Sequence, residues 1–154
     1  GSCLPFLTSE IFFNYDLYAV INLSAMEKFV EHIRDGYVKA NPYHNDLHAS
    51  DVLQTSYSIL SNSNIIQSLM LDCIDLSGLF IASIIHDFRH PGLTNGFLTN
   101  TKDNLAIKYN DYSILENYHV SEAFSLIKEH KDLNIFSMLS NSEYKLMRKR
   151  IIDC

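Results

Sequence analysis

Two short segments of the chain concentrate side chains that bind metals and transfer protons. The first contains His44 and His48, and the second contains His86, Asp87 and His90. Imidazole nitrogens and carboxylate oxygens are ligands of zinc and related divalent cations. Each segment is therefore a candidate source of metal ligands.

The first segment favours a helix on which two histidines share a face. A helix that starts near Tyr43 would place His44 and His48 at positions i and i+4. The zinc-protease pattern HExxH has the same spacing but needs a glutamate base at its second position. Here that position is Asn45, which disfavours a metalloprotease. The spacing alone is equally expected of two surface or core histidines.

The second segment follows a strongly apolar stretch. A helix would carry His86 and Asp87 at its end, just before the stop signal Pro91-Gly92. Buried polar side chains are costly unless they have partners, and a metal would serve both. The alternative is that Asp87 caps the next turn while His86 bonds a backbone carbonyl.

A third polar segment predicts the start of a capped helix. Asp111 and Ser113 are candidate N-caps, with Asn110 beside them. Glu116 and His119 are three residues apart and would share one helical face. By itself this segment indicates nothing beyond a helix.

Hydrophobic periodicity predicts an all-α fold. Ser24, with Glu27 three residues later, predicts a capping box at the first helix. The β-branched run 81–85 would also fit a strand, but a helix is favoured because no partner strand is visible. Helices are predicted at 23–37, 43–60, 65–88, 113–129 and 142–152, with short helical turns and loops over 93–111.

Composition limits the class of protein. The 154 residues, 47% of them hydrophobic, suit one globular domain or part of one. A net charge of −6 argues against a nucleic-acid partner but not against a small phosphorylated ligand, because a metal can supply the positive charge locally.

Location is indicated by cysteine usage and by the absence of targeting patterns. Three widely spaced cysteines indicate a reducing, intracellular compartment rather than a disulfide framework. The sequence shows no secretory leader and no apolar stretch long enough to cross a membrane, so no membrane contact is expected within this chain. Gly1 and Ser2 resemble a cloning remnant and are excluded from the domain, which we assign to residues 3–154.

The three segments together resemble one family closely, the class I 3′,5′-cyclic-nucleotide phosphodiesterase catalytic domain. The similarity extends from about Leu23 to Cys154, and Arg89 departs from the family pattern at a position expected to face outward. The matching motifs are Tyr43-His44-Asn45-x-x-His48-Ala49-x-Asp51-Val52, then His86-Asp87-x-x-His90-Pro91-Gly92-x-x-Asn95, then Leu105-Ala106-x-x-Tyr109-Asn110-Asp111-x-Ser113-x-Leu115-Glu116-Asn117-x-His119.

The resemblance implies a helical, HD-like domain that hydrolyses 3′,5′-cyclic nucleotides, cyclic AMP or cyclic GMP, to 5′-monophosphates. Two divalent metals are implied, zinc together with magnesium or manganese. His48, His86 and Asp87 would ligate the tighter ion, and Asp87 would also contact the second. In the family a hydroxide that bridges the metals attacks phosphorus in line.

The resemblance also implies roles for residues beside the metals. His44 would be the general acid that protonates the leaving 3′-oxygen. Glu116 and His90 would hold water or ligand histidines in place, and Tyr43 would form part of the pocket wall.

Family catalytic domains are longer at both ends, so residues 3–154 are expected to be an incomplete domain. The missing parts would include a further aspartate ligand and the clamp that grips the base. The chain alone is therefore expected to be inactive or weakly active and to self-associate through exposed apolar faces. The parent protein would lie on the cytoplasmic side, either free or tethered to a membrane by other regions.

Two alternatives remain open at this point. One is an HD-type phosphohydrolase that acts on another phosphoester. The other is a helical interaction module without catalysis.

Overall fold

The fold is helical over the part of the chain that the structure describes. A computed structural model describes residues 3–154, and the predicted cloning remnant, Gly1 and Ser2, lies outside the described residues. Within that range no strand is present, so the all-α prediction is confirmed and the strand alternative for 81–85 is wrong. The helices are α1 (Leu4–Asn14), α2 (Leu23–Gly36), α3 (Asp46–Ser61), α4 (Ile65–Leu69), α5 (Cys73–Ile85), α6 (Asn95–Asn100), α7 (Asn104–Lys108), α8 (Ile114–Glu129) and α9 (Asn141–Asp153), with 3₁₀ turns at Leu17–Ala19 and Lys131–Leu133.

Helix α5 is the centre of the core. It packs against α2, α3, α8 and α9, and it is apolar on nearly every side, as expected of a helix surrounded by others. Gly78 allows α9 to pack closely on α5, because a Cβ added there would lie 2.8 Å from Cβ of Arg150 on α9. The carboxyl end of α5 is therefore held rigidly, and the His86-Asp87 pair follows it directly.

The predicted helix 65–88 is two helices rather than one. Met70 adopts a left-handed conformation (φ 51°) and ends α4. Asp72 then forms a capping box with Asp75 and starts α5. The break allows α5 to take its own direction through the core.

Other predicted starts need correction. The N-cap of α2 is Asn22, whose side chain accepts from the Ala25 N–H, so the prediction of Ser24 was wrong. Helix α1 was not predicted, because it carries apolar residues on all its faces: Phe6 and Phe13 are exposed while its other face packs on α2 and α3.

Among residues 3–154, none of the helices combines the length and the apolar character needed to cross a membrane.

A small second core supports the region after the histidine segments. It consists of Leu98, Ala106, Ile114 and Leu115, which join α6, α7 and α8. Ser113 occupies the N-cap position of α8 but makes no capping hydrogen bond with its side chain. Instead Oδ1 of Asn95 accepts from the Leu115 N–H at 3.0 Å, so the cap comes from α6. This bond fixes the start of α8 relative to the site.

Candidate metal centre

The amino end of α3 and the carboxyl end of α5 bring three potential metal ligands together. Nε2 of His48 and Nε2 of His86 are 3.2 Å apart. Oδ2 of Asp87 lies 3.5 Å from the first nitrogen and 3.3 Å from the second. The two helices pack together, and a hydrogen bond between Ser56 and Ser83 (3.3 Å) joins them near the site. Residues 38 positions apart therefore share one small polar cluster.

The donor set of this cluster fits a divalent cation. Nδ1 of His86 lies 2.8 Å from the Ser83 carbonyl oxygen, which can only accept, so Nδ1 carries the proton and neutral His86 presents an Nε2 lone pair. In this neutral form the lone pair is directed toward Nε2 of His48 and the carboxylate of Asp87. Ligand atoms around tetrahedral zinc, with bonds of about 2.0–2.1 Å, lie about 3.3–3.4 Å apart, close to the observed spacings.

His44 reaches the same cluster from outside the helix. Asn45 is the N-cap of α3 in an extended conformation, and its Oδ1 accepts from the N–H groups of Leu47 and His48. His44 therefore precedes the helix, and the predicted i, i+4 arrangement of His44 and His48 on one helical face was wrong. Its Nδ1 nevertheless donates to Oδ2 of Asp87 at 2.7 Å, because the loop before α3 folds over the end of α5.

A row of stacked imidazoles borders the cluster. The rings of His44 and His90 stack with centroids 3.9 Å apart and an angle of 9° between planes. His119, on α8, stacks on the other side of His90 at 5.3 Å. Nδ1 of His119 donates to the Phe88 carbonyl (2.7 Å), which leaves Nε2 facing Oδ1 of Asp87 at 3.8 Å.

His119 was not assigned to the site by sequence reasoning, although it was noted beside Glu116. The side chain is only 2% exposed. A histidine on the buried face of a helix is compatible with ordinary core packing, so its pattern alone could not have identified it.

Burial and hydrogen bonding adjust the protonation of these groups. Burial and the nearby His86 lower the pKa of His48, and burial together with His44 lowers the pKa of His90 to about 4. Burial would lower the pKa of His86, but hydrogen bonds with Asp87 and a backbone carbonyl raise it. Burial would likewise raise the pKa of Asp87, but hydrogen bonds from His86 and His44 hold it well below its usual range. His48 is thus neutral and Asp87 ionised at neutral pH, as metal ligands must be, whereas protonated His86 would have to release the proton it shares with Asp87 before binding a metal.

A second set of donors is less suited to a metal. Ligand atoms of His44, Asp87 and His90 also lie within 4.8 Å of one another. However, Nδ1 of His44 already donates to Asp87, and Nδ1 of His90 accepts from the Gly92 N–H at 3.0 Å. These groups are hydrogen-bonded to protein partners, which leaves His48, His86 and Asp87 as the better candidate site.

The remaining predicted site residues lie around the cluster. Glu116, in the first turn of α8, accepts from Nδ2 of Asn95 at 3.0 Å. It lines a cavity of about 530 Å³ together with His86 and with His119. Tyr43 is 61% exposed, and its ring lies 4.3 Å from that of His48.

The backbone after α5 makes the tight turn that the cluster needs. Arg89 is in the left-handed region (φ 59°), and the His90 N–H donates to the Asp87 carbonyl at 3.0 Å. The exposed side chain of Arg89 forms an ion pair with Glu122. The residue that departs from the family motif therefore faces away from the cluster, as expected.

Comparison with known proteins identifies related sequences. The family model described as 3′5′-cyclic nucleotide phosphodiesterase matches residues 43–154. The "Probable 3′,5′-cyclic phosphodiesterase pde-1" of Caenorhabditis elegans is 39% identical, and the match covers 99% of this chain and 23% of that protein. The "High affinity cAMP-specific and IBMX-insensitive 3′,5′-cyclic phosphodiesterase 8A" of Mus musculus is 40% identical, and the match covers 84% of this chain and 16% of that protein.

The fold is also similar to that of a solved phosphodiesterase domain. The crystal structure of the phosphodiesterase domain of the RhoPDE fusion protein from the choanoflagellate Salpingoeca rosetta superposes with a TM-score of 0.89 and 33% identity. The match covers 98% of this chain and 47% of that one, so the chain spans less than half of the solved domain and less than a quarter of the two curated relatives. Histidine segments, helical fold and sequence similarity all agree, and the chain belongs to the 3′5′-cyclic nucleotide phosphodiesterase family.

Proposed function

We propose that residues 3–154 form part of a catalytic domain that hydrolyses 3′,5′-cyclic nucleotides, cyclic AMP, cyclic GMP or both, to 5′-monophosphates. The observation that carries the proposal is the meeting of His48, His86 and Asp87 at one point with His44 bonded to the same carboxylate. Membership of the family supports it, since its members are named for this reaction.

We propose two divalent cations as cofactors, zinc together with magnesium or manganese. His48, His86 and Asp87 would hold the zinc, and the carboxylate of Asp87 would extend to the second ion. When bound, such ions activate water and neutralise negative charge on the phosphoryl oxygens. The net charge of −6 makes local positive charge necessary for an anionic substrate.

His44 is proposed as the general acid. Its Nδ1 donates to Asp87, so the Nε2 edge is the one available to a substrate, and the side chain is 39% exposed. Hydrolysis forms a bond from a water oxygen to phosphorus and breaks the bond from phosphorus to O3′, which leaves with the electron pair. A proton from Nε2 of His44 to O3′ would prevent a strongly basic alkoxide from accumulating.

Asp87 would orient the acid as well as hold the metals. The hydrogen bond from Nδ1 of His44 fixes which ring nitrogen faces outward, in the manner of a carboxylate behind a catalytic histidine. His90 supports the same ring by stacking on it. Asp87 and His90 therefore both set the orientation of His44, the proposed proton donor.

The cavity beside the cluster is the proposed site for the nucleotide. Its volume, about 530 Å³, suits a small ligand, and both polar residues (Glu116, His119) and apolar ones (Ile151, Val120) line it. Glu116 is proposed to hold water next to the metals, and Tyr43 to bound the open side near His44.

An intracellular location, on the cytoplasmic side, is part of the proposal. Cys3, Cys73 and Cys154 are all free thiols, which is the usual state in a reducing compartment.

The decisive experiment separates the acid from the ligands. In a domain of full family length that carries this sequence, His44→Ala should abolish hydrolysis of cyclic AMP and cyclic GMP while bound zinc is unchanged. His32→Ala is the matched control, because that histidine is exposed on α2 and bonds only the Lys28 carbonyl. Loss of zinc in His44→Ala would refute its role as an acid, and cleavage of other phosphoesters without cyclic nucleotides would favour the broader phosphohydrolase.

A further inference from the structure

We propose that Asn41 is a positioning residue that sets the orientation of His44, an inference that rests on the proposed function in one respect only, that His44 is the proton donor. Asn41 lies in the loop between α2 and α3 and precedes the first family motif. It has neither a titratable group nor a ligand atom in the cluster. Its importance comes from what its amide joins.

The side-chain amide of Asn41 connects both histidine segments. Nδ2 donates to the His44 carbonyl at 3.2 Å and to the His90 carbonyl at 2.8 Å. An amide nitrogen carries two protons, so both are used. One side chain thus links the loop before α3 to the turn after α5, across 49 positions of the sequence.

Asn41 is itself held in place. Its N–H donates to the Val38 carbonyl at 2.9 Å, and its carbonyl accepts from Nδ2 of Asn45 at 3.0 Å. Asn45 is also the N-cap of α3. The amide of Asn41 is therefore placed relative to the helix that carries His48, rather than on a free loop.

The link matters because it holds the backbone of His44, whereas Asp87 and His90 contact its ring. His44 lies outside α3, so no helical hydrogen bonds hold its backbone. Its ring must lie flat on His90 (3.9 Å) while Nδ1 stays 2.7 Å from Asp87. Tying the two carbonyls to one amide sets the distance between their backbones, and with it the stacking of the rings.

Gly92 packs against the same amide, and its N–H also donates to Nδ1 of His90 at 3.0 Å. Its φ of +76° is the left-handed region that favours glycine, and a Cβ added there would lie 2.9 Å from Oδ1 of Asn41. Replacing Gly92 by alanine would therefore push the amide away from the two carbonyls. Asn41 and Gly92 can be perturbed separately, and both changes should have the same effect on His44.

The test uses a domain of full family length that carries this sequence, with ¹⁵N-labelled histidine, observed by NMR without substrate. Asn41→Asp keeps the shape but removes the donors, and Asn41→Ala removes the side chain. In both, and in Gly92→Ala, the ring signals of His44 and His90 should shift as the stack opens. The matched control is Asn62→Asp at the far end of α3, where Nδ2 donates to the Ser58 carbonyl (2.8 Å) and the ring signals should not change.

Two further measurements distinguish positioning from general damage. Zinc should still bind with nearly the parent affinity, because none of the three proposed ligands bonds Asn41. In a domain of full length, kcat should fall about 10²-fold, as expected for a catalytic group displaced by about 1 Å, with KM little changed.

Unchanged ring signals in both Asn41 variants would overturn the proposal. If Asn41→Ala loses its helical circular dichroism, Asn41→Asp still decides the question. If the parent domain does not hydrolyse cyclic nucleotides, the proposed function fails, yet the ring signals still show whether Asn41 positions His44.

Discussion

Substituting Gly36, the last residue of α2, tests whether the floor of the candidate metal centre is packed as tightly as the structure indicates. A Cβ added at Gly36 would lie 2.2 Å from Cε2 of Phe88 and 2.9 Å from its Cζ. Favourable carbon contacts lie at about 3.5–4.0 Å, so the ring would have to move by about 1.3 Å or more. Phe88 directly follows the proposed ligand Asp87.

The Phe88 ring has little room to move. The residue is 1% exposed, its ring packs edge-on against Tyr37, and its carbonyl accepts from His119. Overpacking of this kind costs about 1–3 kcal/mol. Alanine gains at most about 1 kcal/mol over glycine in a helix interior, and less at a helix end. We therefore expect Gly36→Ala to lower the free energy of unfolding by about 1–2 kcal/mol.

Urea unfolding and thermal unfolding measure this effect. At about 2–4 °C per kcal/mol for a chain of this size, the melting temperature should fall by about 2–8 °C. Zinc affinity should also fall, by about 10-fold, because displacement of Phe88 moves Asp87 and the His119 contact. The control is Gly96→Ala in α6, where an added Cβ meets nothing within 4 Å, so stability should stay equal or rise slightly. Equal stability of the two variants would refute the packing argument.

Further predictions concern the ligands, the core and the chain as a whole. His86→Ala should release zinc, and elemental analysis that finds equal metal in both forms would remove the ligand assignment. Tyr37→Phe should cost about 1 kcal/mol at pH 7, because the buried hydroxyl donates to the Ile84 carbonyl at 2.9 Å. Burial raises the pKa of Tyr37 above its ordinary 10.0, so its contribution is present below pH 10 and is lost at higher pH; urea unfolding should show a smaller alkaline loss in Tyr37→Phe. The isolated chain spans less than half of the solved domain it matches, and it should hydrolyse cyclic nucleotides weakly or not at all; turnover of ~1–10³ s⁻¹ would contradict this. Light scattering should show that it also self-associates, since Tyr112 and Ile152 at the cavity edge are 77% and 47% exposed. A monomer would contradict self-association through these exposed apolar residues.

Sequence patterns identified the helices that have local signals. The periodic apolar residues of α2 depend only on residues within one or two turns. The last helix was predicted from Ser142, whereas Ser140 is the N-cap of α9 and forms a capping box with Glu143. The break at Met70 was missed because a left-handed methionine has no sequence signal of its own. A continuous apolar pattern across two helices is read as one.

The site shows the same division. The types of the candidate ligands were visible, because an adjacent His-Asp pair after an apolar helix needs a partner. The conformation of His44 was not, since only the cap at Asn45 decides that the helix starts after it. His119 and Asn41 were overlooked because their contacts come from residues 31 and 49 positions away.

By itself, the sequence determined the helical class, the family and the side chains able to bind a metal. The helical class follows from short-range periodicity, the candidate ligands from the chemistry of each residue type, and the family from three motifs that resemble it. Tertiary structure alone decided that the start of α3 meets the end of α5, that α6 caps α8, and that one amide links the two histidine loops. Such contacts depend on how helices pack against each other, and local patterns carry no record of the partner that a distant residue will meet.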